Sequence, residues 1–413
     1  MKRTADKVFD LIVVGGGAAG LMAAGTALEQ GLSVLVFDKN DKLARKVRIT
    51  GKGRCNVTNN CDVQGVISAT IGNGRFLYSA LNNFAPEDTM NFFEGLGIPL
   101  KTERGNRVFP QSDNANDIAD ALAAYAGEAE FIKAAVTKVV AEDGRVTGVV
   151  CGGEFYAARN VLIATGGASY KATGSTGDGY RFAESLGHTV TELRPSLVAV
   201  TSDDEDCPKM QGLSLRNCAV KLTDNKKNKV IYTDFGELLF THFGVSGPVV
   251  LSASSHMREM EKGRYSLSID LKPALTEEQL DQRILRDFEK NINRNFANSL
   301  DELLPQKMIP VIIDRSSIPG DTKCNSVTRE QRKALVTALK EFKVDVTGFR
   351  SLNEAIVTSG GISVKEINPK TMESKLVEGL YFAGEVIDVD AYTGGFNLQI
   401  AFATGRLAAQ NIY

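Results

Sequence analysis

Residues 8–14 (VFDLIVV) form a short, mostly apolar, β-branched run, the pattern of a strand buried on both faces. GGGAAG follows at 15–20, and LMAAGTALEQG then predicts a helix ending at Gly31, a C-cap glycine. Residues 33–37 (SVLVF) predict a second buried strand with Asp38 at its end, which completes a βαβ unit. Pro86, Glu87 and Asp88 open a predicted helix to about Leu96, because proline suits a first helical turn and acids suit its positive end. Asp113 or Asn114 is placed to cap a second helix through Tyr125. Residues 135–141, 145–150 and 154–157 read as three strands around Asp143-Gly144 and Gly152-Gly153, two hairpin signals. This meander leads into another buried strand at 161–164.

From 191 to 350 the pattern changes. Its first half predicts strands (LVAVTS, CAVKLT, KVIYTDFGELLFT, RYSLSIDLKP) and its second half helices (PALTEEQLDQRILRDFEKN, SLDELLPQKMI, TREQRKALVTALKEF). From Ala355 the buried αβ pattern returns. Residues 380–383 (LYFA) predict a short strand ending at Gly384-Glu385, and Gly394-Gly395 opens a long helix, FNLQIAFATGRLAAQNI. Both chain ends therefore belong to one domain. The predicted class is α/β: a Rossmann-type domain with a β-meander over 1–190 and 351–413, interrupted at 191–350 by an inserted barrel-like domain, or a sandwich, with a helical annex.

Length and charge narrow the function classes. At 413 residues the chain holds two to three domains at ~150 residues each. The formal charge of −2 gives no global basic field to attract nucleic acid or anionic lipid, and region 191–350, with 24 basic and 23 acidic residues, is nearly neutral. The six cysteines include no CxxC pair and histidine occurs three times, so neither a disulfide scaffold nor a zinc site is expected. The N-terminal residues carry no long apolar region, and no 18-residue apolar span occurs. A cytoplasmic protein with reduced thiols, no metal, no membrane partner and no nucleic-acid partner is the expectation.

GGGAAG has the context that a dinucleotide fingerprint requires: strand before, helix after, acid downstream. Gly15 permits the tight turn, Gly17 lets a pyrophosphate approach the backbone, and Gly20 lets helix pack on strand. The helix N-terminus offers free N–H groups to phosphates. Asp38, 18 residues after Gly20, can accept hydrogen bonds from a ribose diol. The cofactor candidates here are Gly15, Gly17, Ala18, Ala19, Gly20, Asp38 and Lys39. FAD and NAD share this fingerprint. The late strand with Gly384, Glu385 and Asp388 favours FAD, because glutathione-reductase-type flavoproteins end this way. In that reading Glu385 or Asp388 reaches the ribityl chain or pyrophosphate through water. The amides of Gly395, Phe396, Asn397 and Leu398 then point at the N1–C2=O edge of the isoalloxazine, where they stabilise the anionic reduced flavin.

Four segments together resemble the BaiN/aminoacetone-oxidase-like family of bacterial NAD(P)/FAD-dependent oxidoreductases. They are GGGAAG (15–20), KVRITGKGRCNVTN (46–59), IATGGASYKATGSTGDGY (163–180) and AGEVIDVDAYTGGFNLQIAFATG (383–405); FTHFGVSGP (240–248) is similar to the family's insertion. The resemblance spans nearly the whole chain and implies a Rossmann-type FAD domain with a two-part insertion. Activities in the family range from amine oxidation to reduction of enone-type bile acid intermediates. This chain departs from the family by carrying Ala44, Thr50 and Lys52 where Gly, Ser and Gly are frequent.

The second segment supplies further candidates. Arg45, Lys46 and Arg48 lie near the first βαβ unit, either to neutralise a pyrophosphate or as a solvated basic loop. Gly53 allows backbone against a flat ring, and Arg54, Asn56, Thr58 and Asn59 either bond FAD or order the loop. Cys55 belongs to the same segment; its CxxxxxC spacing to Cys61 is not that of a flavin–dithiol relay, so a packed thiol is the expectation. Val136 lies in the meander where such flavoproteins contact adenine. Thr165 and Gly166 follow a buried strand. Tyr170, Thr173 and Ser175 either contact ligand or cap the helix beginning near Asp178. His242, Tyr392 and Thr393 are the catalytic candidates, His242 as a proton donor. The function expected is an FAD-dependent oxidoreductase acting on a small organic substrate, with NAD(P)H as a transient donor since no second GxGxxG unit is present. The alternatives are an FAD-dependent tRNA-modifying protein and a flavin redox sensor.

Overall fold

The computed structural model describes residues 7–413. The chain divides into two compact units, Met1–Ser196 with Leu352–Tyr413, and Leu197–Ser351. Residues 191–196 stay with the first unit because Arg194–Ser196 pairs antiparallel with Val357–Ser359.

The first unit is built on a seven-stranded sheet. β1 (Phe9–Val14) lies between β2 (Val34–Asp38) and the strand Glu154–Ile163, parallel to both. Glu130–Lys133 extends the sheet beyond β2, and Leu380–Phe382 pairs parallel with the end of Glu154–Ile163. Burial of β1 is nearly complete, as its mostly apolar run requires, with Asp10 the one partly buried position. Strands at 154–157 and 161–164 were expected separately, but Glu154–Ile163 is one ten-residue strand. The polar pair Arg159-Asn160 interrupts its apolar pattern. Asn160 is nonetheless buried, with its Nδ2 donating to the Asp10 carbonyl at 3.0 Å. One edge of this strand serves β1. The other serves the meander strand Arg145–Cys151 first and then Leu380–Phe382.

Register brings the parallel strand ends level. Val14 pairs with Phe37 and with Ile163, and Ile163 pairs with Phe382. The loops beginning at Gly15, Lys39, Ala164 and Ala383 therefore emerge at one carboxyl edge, where open α/β sheets bind ligands. Helix α1 (Ala18–Glu29) packs beside the C-terminal helix Phe396–Gln410: a Cβ on Gly405 would lie 2.3 Å from the Ala19 carbonyl oxygen.

The second unit carries an antiparallel seven-stranded sheet. Its order is Phe342–Val346, Tyr265–Asp270, Ser214–Asp224, Lys229–Thr241, Gly244–Ser246, Val200–Thr201, Gly348–Phe349. Helices Glu277–Lys290 and Arg329–Lys340 each begin with a capping box, Thr276 with Gln279 and Thr328 with Gln331. The expected order of strands first and helices second fails at the end. The helix expected to run through Phe342 stops at Lys340, and the alternation FKVDV, buried at every second position, forms a strand against Tyr265–Asp270. No helix among the described residues is long and apolar enough to cross a membrane.

Candidate functional site

The first βαβ turn is shaped by what each glycine meets. A Cβ on Gly15 would sit 2.5 Å from the Ala164 carbonyl oxygen, and one on Gly20 would sit 1.9 Å from the Gly15 carbonyl oxygen. Those two glycines let strand, turn and helix touch. Gly17 differs, since nothing lies within 4 Å of its Cβ position. Its missing side chain opens the helix start to a ligand and serves no protein packing. Gly17 is the N-cap of α1, no side chain caps this helix, and no acid occupies its first turn. The amides there are the orphan donors that an anion satisfies. Ala18 is half-buried, and Ala19 packs under Gly405 and Gly384.

Asp38 ends β2 as expected. Its Oδ2 accepts from the Gly16 N–H at 2.8 Å, and its Oδ1 accepts from Asn40 N and Nδ2. The carboxylate thus ties the end of β2 to the glycine turn and keeps acceptor capacity in reserve. Lys39 turns to Asp178 at 2.6 Å and Thr176 at 2.5 Å. Burial raises the Asp178 carboxyl, but hydrogen bonds from Lys39, Thr176 and Arg181 outweigh it and hold the group at about 2.

The segment 45–59 divides by direction. Arg45 is exposed, with a long contact to Asn40 at 3.4 Å. Lys46 reaches Glu385 at 2.8 Å and Ser169 at 2.9 Å, so the short helix Arg45–Ile49 is pinned to the loop after Leu380–Phe382. Arg48 bonds Asn116 and Asp120 on the helix Ala115–Tyr125. Arg54 likewise turns to the protein: it pairs with Glu103 and Asp113 and stacks 4.2 Å from the Phe109 ring centroid. The Arg54 hydrogen bond holds Glu103 below the usual carboxylate range, and Lys101 with Arg54 does the same to Asp113. Gly53 is half-buried in a left-handed turn. Cys55 is fully buried, and burial pushes its thiol up to about 12. It is a packed thiol, as are Cys151, Cys207, Cys218 and Cys324; Cys61 is half-buried.

Asn56, Thr58 and Asn59 meet the start of the C-terminal helix. Turned to satisfy its neighbours, the Asn56 amide accepts from the Gly395 N–H at 3.0 Å and donates to the Thr58 and Val108 carbonyls. Asn59 Nδ2 donates to the Gly394 carbonyl at 3.1 Å. Gly395 is the N-cap at φ 95°, and a Cβ there would lie 2.3 Å from the Thr58 carbonyl. The Gly395 N–H, expected to face the flavin, is thus taken by the Asn56 amide; as in α1, the N-cap residue supplies no side-chain cap and no acid occupies the first turn. Asn397 closes the preceding loop, accepting from Ala391 N and donating to the Ala391 and Tyr392 carbonyls. Phe396 and Leu398 are half-buried beside it.

The remaining candidates are spread more widely. Val136 is buried in the meander opposite Cys151. Thr165 is half-buried, and Gly166 (φ 72°) faces Ser175. The helix Asp178–Ser185 has Gly177 as N-cap with no side-chain cap, so none of Tyr170, Thr173 and Ser175 caps it; Thr173 bonds the Tyr170 carbonyl instead. Gly384 donates to Thr404 Oγ1 and lies against Ala19. Glu385 accepts from Lys46, Ser169 and the Thr358 N–H, so its carboxylate is held by protein. Asp388 accepts from Asn73 Nδ2. Tyr392 is half-buried and Thr393 exposed. His242 is in the second unit, exposed at a two-residue hairpin tip with its ring edge-on to Phe243 at 5.0 Å. Among the described residues no group of His, Cys, Asp and Glu could hold a metal ion.

Sequence reasoning missed Gln399, Thr89, Ser169 and Thr404. Gln399 is visible as an amide that, with Asn397, interrupts an otherwise apolar stretch, FNLQIAF, and a buried amide demands partners. The other three look like ordinary small polar residues until their partners are known.

The HI0933-like protein Rossmann domain family matches residues 9–411. A 3-dehydro-bile acid delta(4,6)-reductase of Clostridium scindens is 29% identical over 407 residues, 96% of this chain and 97% of that protein. A ribosomal RNA dihydrouridine synthase of Escherichia coli is 31% identical over 408 residues, covering 98% of each. In fold, the chain is similar to a 3-ketosteroid delta1-dehydrogenase of Sterolibacterium denitrificans (TM-score 0.50, 14% identity, 98% of this chain and 99% of that one). The chain belongs to the HI0933-like protein Rossmann domain family.

Proposed function

We propose that this oxidoreductase holds FAD along the carboxyl edge of its first unit and saturates a carbon–carbon double bond conjugated to a carbonyl, with NAD(P)H as transient donor. The observation that carries the reading is the open Cβ position of Gly17 at an uncapped helix start. A second uncapped, glycine-started helix begins at Gly395 in the same unit. The residues that would hold the cofactor are Gly15, Gly17, Ala18 and Ala19 at the pyrophosphate, Asp38 at a ribose, and Asn56, Thr58 and Asn59 with Phe396, Asn397 and Leu398 at the ring. Lys46 and Glu385, already paired, order the wall between these segments. FAD, when bound, supplies the hydride chemistry.

The reaction class is supported by what the two relatives' names share: each denotes saturation of a double bond conjugated to a carbonyl. Such a reduction needs a hydride at the β-carbon and a proton at the α-carbon. Tyr392 is the proposed proton donor, with Thr393 as a substrate contact. A small organic substrate is favoured by the near-neutral charge of 191–350. An RNA base is the second reading, favoured by the 31% relatives that carry the rRNA name. The barrel-like reading of the second unit is supported by Thr347, the one residue between the two strands that end its pairing path.

The test is purification, identification of the flavin released by acid, and anaerobic titration with NADH and NADPH. Reoxidation is then followed with a cyclic enone and with uridine-containing RNA. Reduction by a nicotinamide and reoxidation by the enone are expected. Reoxidation by RNA alone would move the substrate to the second reading, and a protein that neither contains nor binds FAD would overturn the proposal.

A further inference from the structure

Gln399 is fully buried one turn into the C-terminal helix, and its side chain touches three other segments. Its Oε1 accepts from Thr58 Oγ1 and from Thr89 Oγ1, both at 2.7 Å. Its Nε2 donates to the Phe84 carbonyl at 2.8 Å. The Phe84 carbonyl can only accept, so it fixes which end of the amide is NH2, and both threonine hydroxyls must then be donors. Thr58 and Thr89 are themselves fully buried. Along the helix, the Gln399 N–H closes the first intrahelical bond onto the Gly395 carbonyl. One residue therefore ends the first turn through its backbone and anchors it through its side chain. The other end of that turn is held by Asn56 at Gly395 N and Asn59 at the Gly394 carbonyl.

We infer that Gln399 is a positioning residue for the flavin. By fixing the first turn of the C-terminal helix against Thr58 and Thr89, it holds that helix's N-terminal amides where the reduced cofactor carries negative charge, and so raises the reduction potential. The inference rests on the FAD reading above. Its physical basis is the cost of a half-satisfied buried network. Replacing the amide by an apolar group leaves two hydroxyls and a carbonyl without partners in a dry site, which favours movement of the turn or entry of water. Either change weakens the amide field at the helix start.

The test uses the FAD-loaded full chain. Potentials are measured by dye equilibration in wild type, Gln399→Leu, Thr89→Val and Thr89→Ser, alongside FAD occupancy and melting temperature. Gln399→Leu is expected to lower the equilibrium constant for two-electron reduction about tenfold, which is about 30 mV. Thr89→Val should lower it in the same direction by less, and Thr89→Ser, which keeps the donor, should match wild type. If Gln399→Leu fails to fold, the Thr89 pair carries the comparison. Lowered melting temperatures with unchanged potentials at full occupancy would show a purely structural network and overturn the inference. Absence of FAD from the wild-type protein would be the failure of the cofactor reading itself.

Discussion

The α-carbon of Gly395 rests on the backbone of Thr58, so closely that a Cβ at 395 would lie 2.3 Å from the Thr58 carbonyl carbon and oxygen. Two segments far apart in the chain, GRCNVTN and TGGFNLQ, are thereby packed without an intervening side chain. The same contact carries the Asn56 bond to Gly395 N and the Thr58 bond to Gln399. The helix start is thus held in place from both sides, with Asn56 on the Gly395 N–H and no side-chain cap from the N-cap residue itself.

Gly17 and Gly20 should fail in different ways. Gly17 is extended (φ −90°, ψ −167°) with open space at its Cβ position. Gly17→Val should leave the unliganded fold within about 0.5 kcal/mol of wild type but abolish FAD retention. Gly20→Ala drives a Cβ into the Gly15 carbonyl and should cost about 1–3 kcal/mol of stability by itself. Denaturant midpoints of both proteins stripped of flavin, with flavin content after purification, separate the two roles. Full flavin content in Gly17→Val would show that the open space is not the cofactor's.

Lys52 is held in the left-handed region (φ 60°, ψ 38°) beside Gly51 in the same region. A side chain there costs about 1–2 kcal/mol, and glycine returns part of that gain as chain entropy in the unfolded state. Lys52→Gly is expected to stabilise the protein by about 0.5–1 kcal/mol, read as a raised urea midpoint with unchanged slope.

The thiols should be nearly silent in the native state. Burial pushes Cys55 and Cys207 up to about 12 and Cys218 up to about 11, so thiolate is scarce at pH 8. Labelling with a chromogenic disulfide reagent should give at most one fast thiol, Cys61, in buffer and six in denaturant. Fast labelling of Cys55 would reopen a redox role for it.

Stability should fall on mild acidification. His188 is buried between Glu366 (3.2 Å) and Ser374 (2.9 Å). Burial lowers its pKa despite the opposing Glu366 charge, and burial with the Arg258 charge lowers that of His256. A depressed histidine pKa means that below about 6.5 the unfolded chain binds the proton more readily than the folded one. Each histidine then takes away at most about 1.4 kcal/mol per pH unit, down to its folded pKa. The denaturation midpoint should be level between pH 7 and 8 and decline towards pH 5.5, and His188→Gln should flatten that decline.

The sequence alone determined the strands and helices whose periodicity is set locally. β1, α1 and β2 were readable because strands buried on both faces show mostly apolar, β-branched runs, and the glycines at 15–20 and at Gly31 bracket the helix between them. The helices Pro86–Gly95 and Ala115–Tyr125 were readable from their first turns. The glycine spacing of the nucleotide turn was equally readable: Gly15 and Gly20 answer close backbone contacts, and Gly17 leaves open space at the helix start. Tertiary structure decided which polar side chains stay available. Arg54, Lys39, Arg48 and Glu385 have the residue types of a cofactor site, yet Glu103, Asp178, Asp120 and Lys46 engage them across gaps in sequence that no pattern encodes. Glu154–Ile163 remains one strand through Arg159-Asn160 because the Asp10 carbonyl on β1 satisfies the buried amide. Gln399 gained its partners in the same way, from three segments that meet only once the chain has folded. A polar group's role depends on the free energy of its bonded state relative to water, and that is fixed by whichever partner folding brings within hydrogen-bond reach.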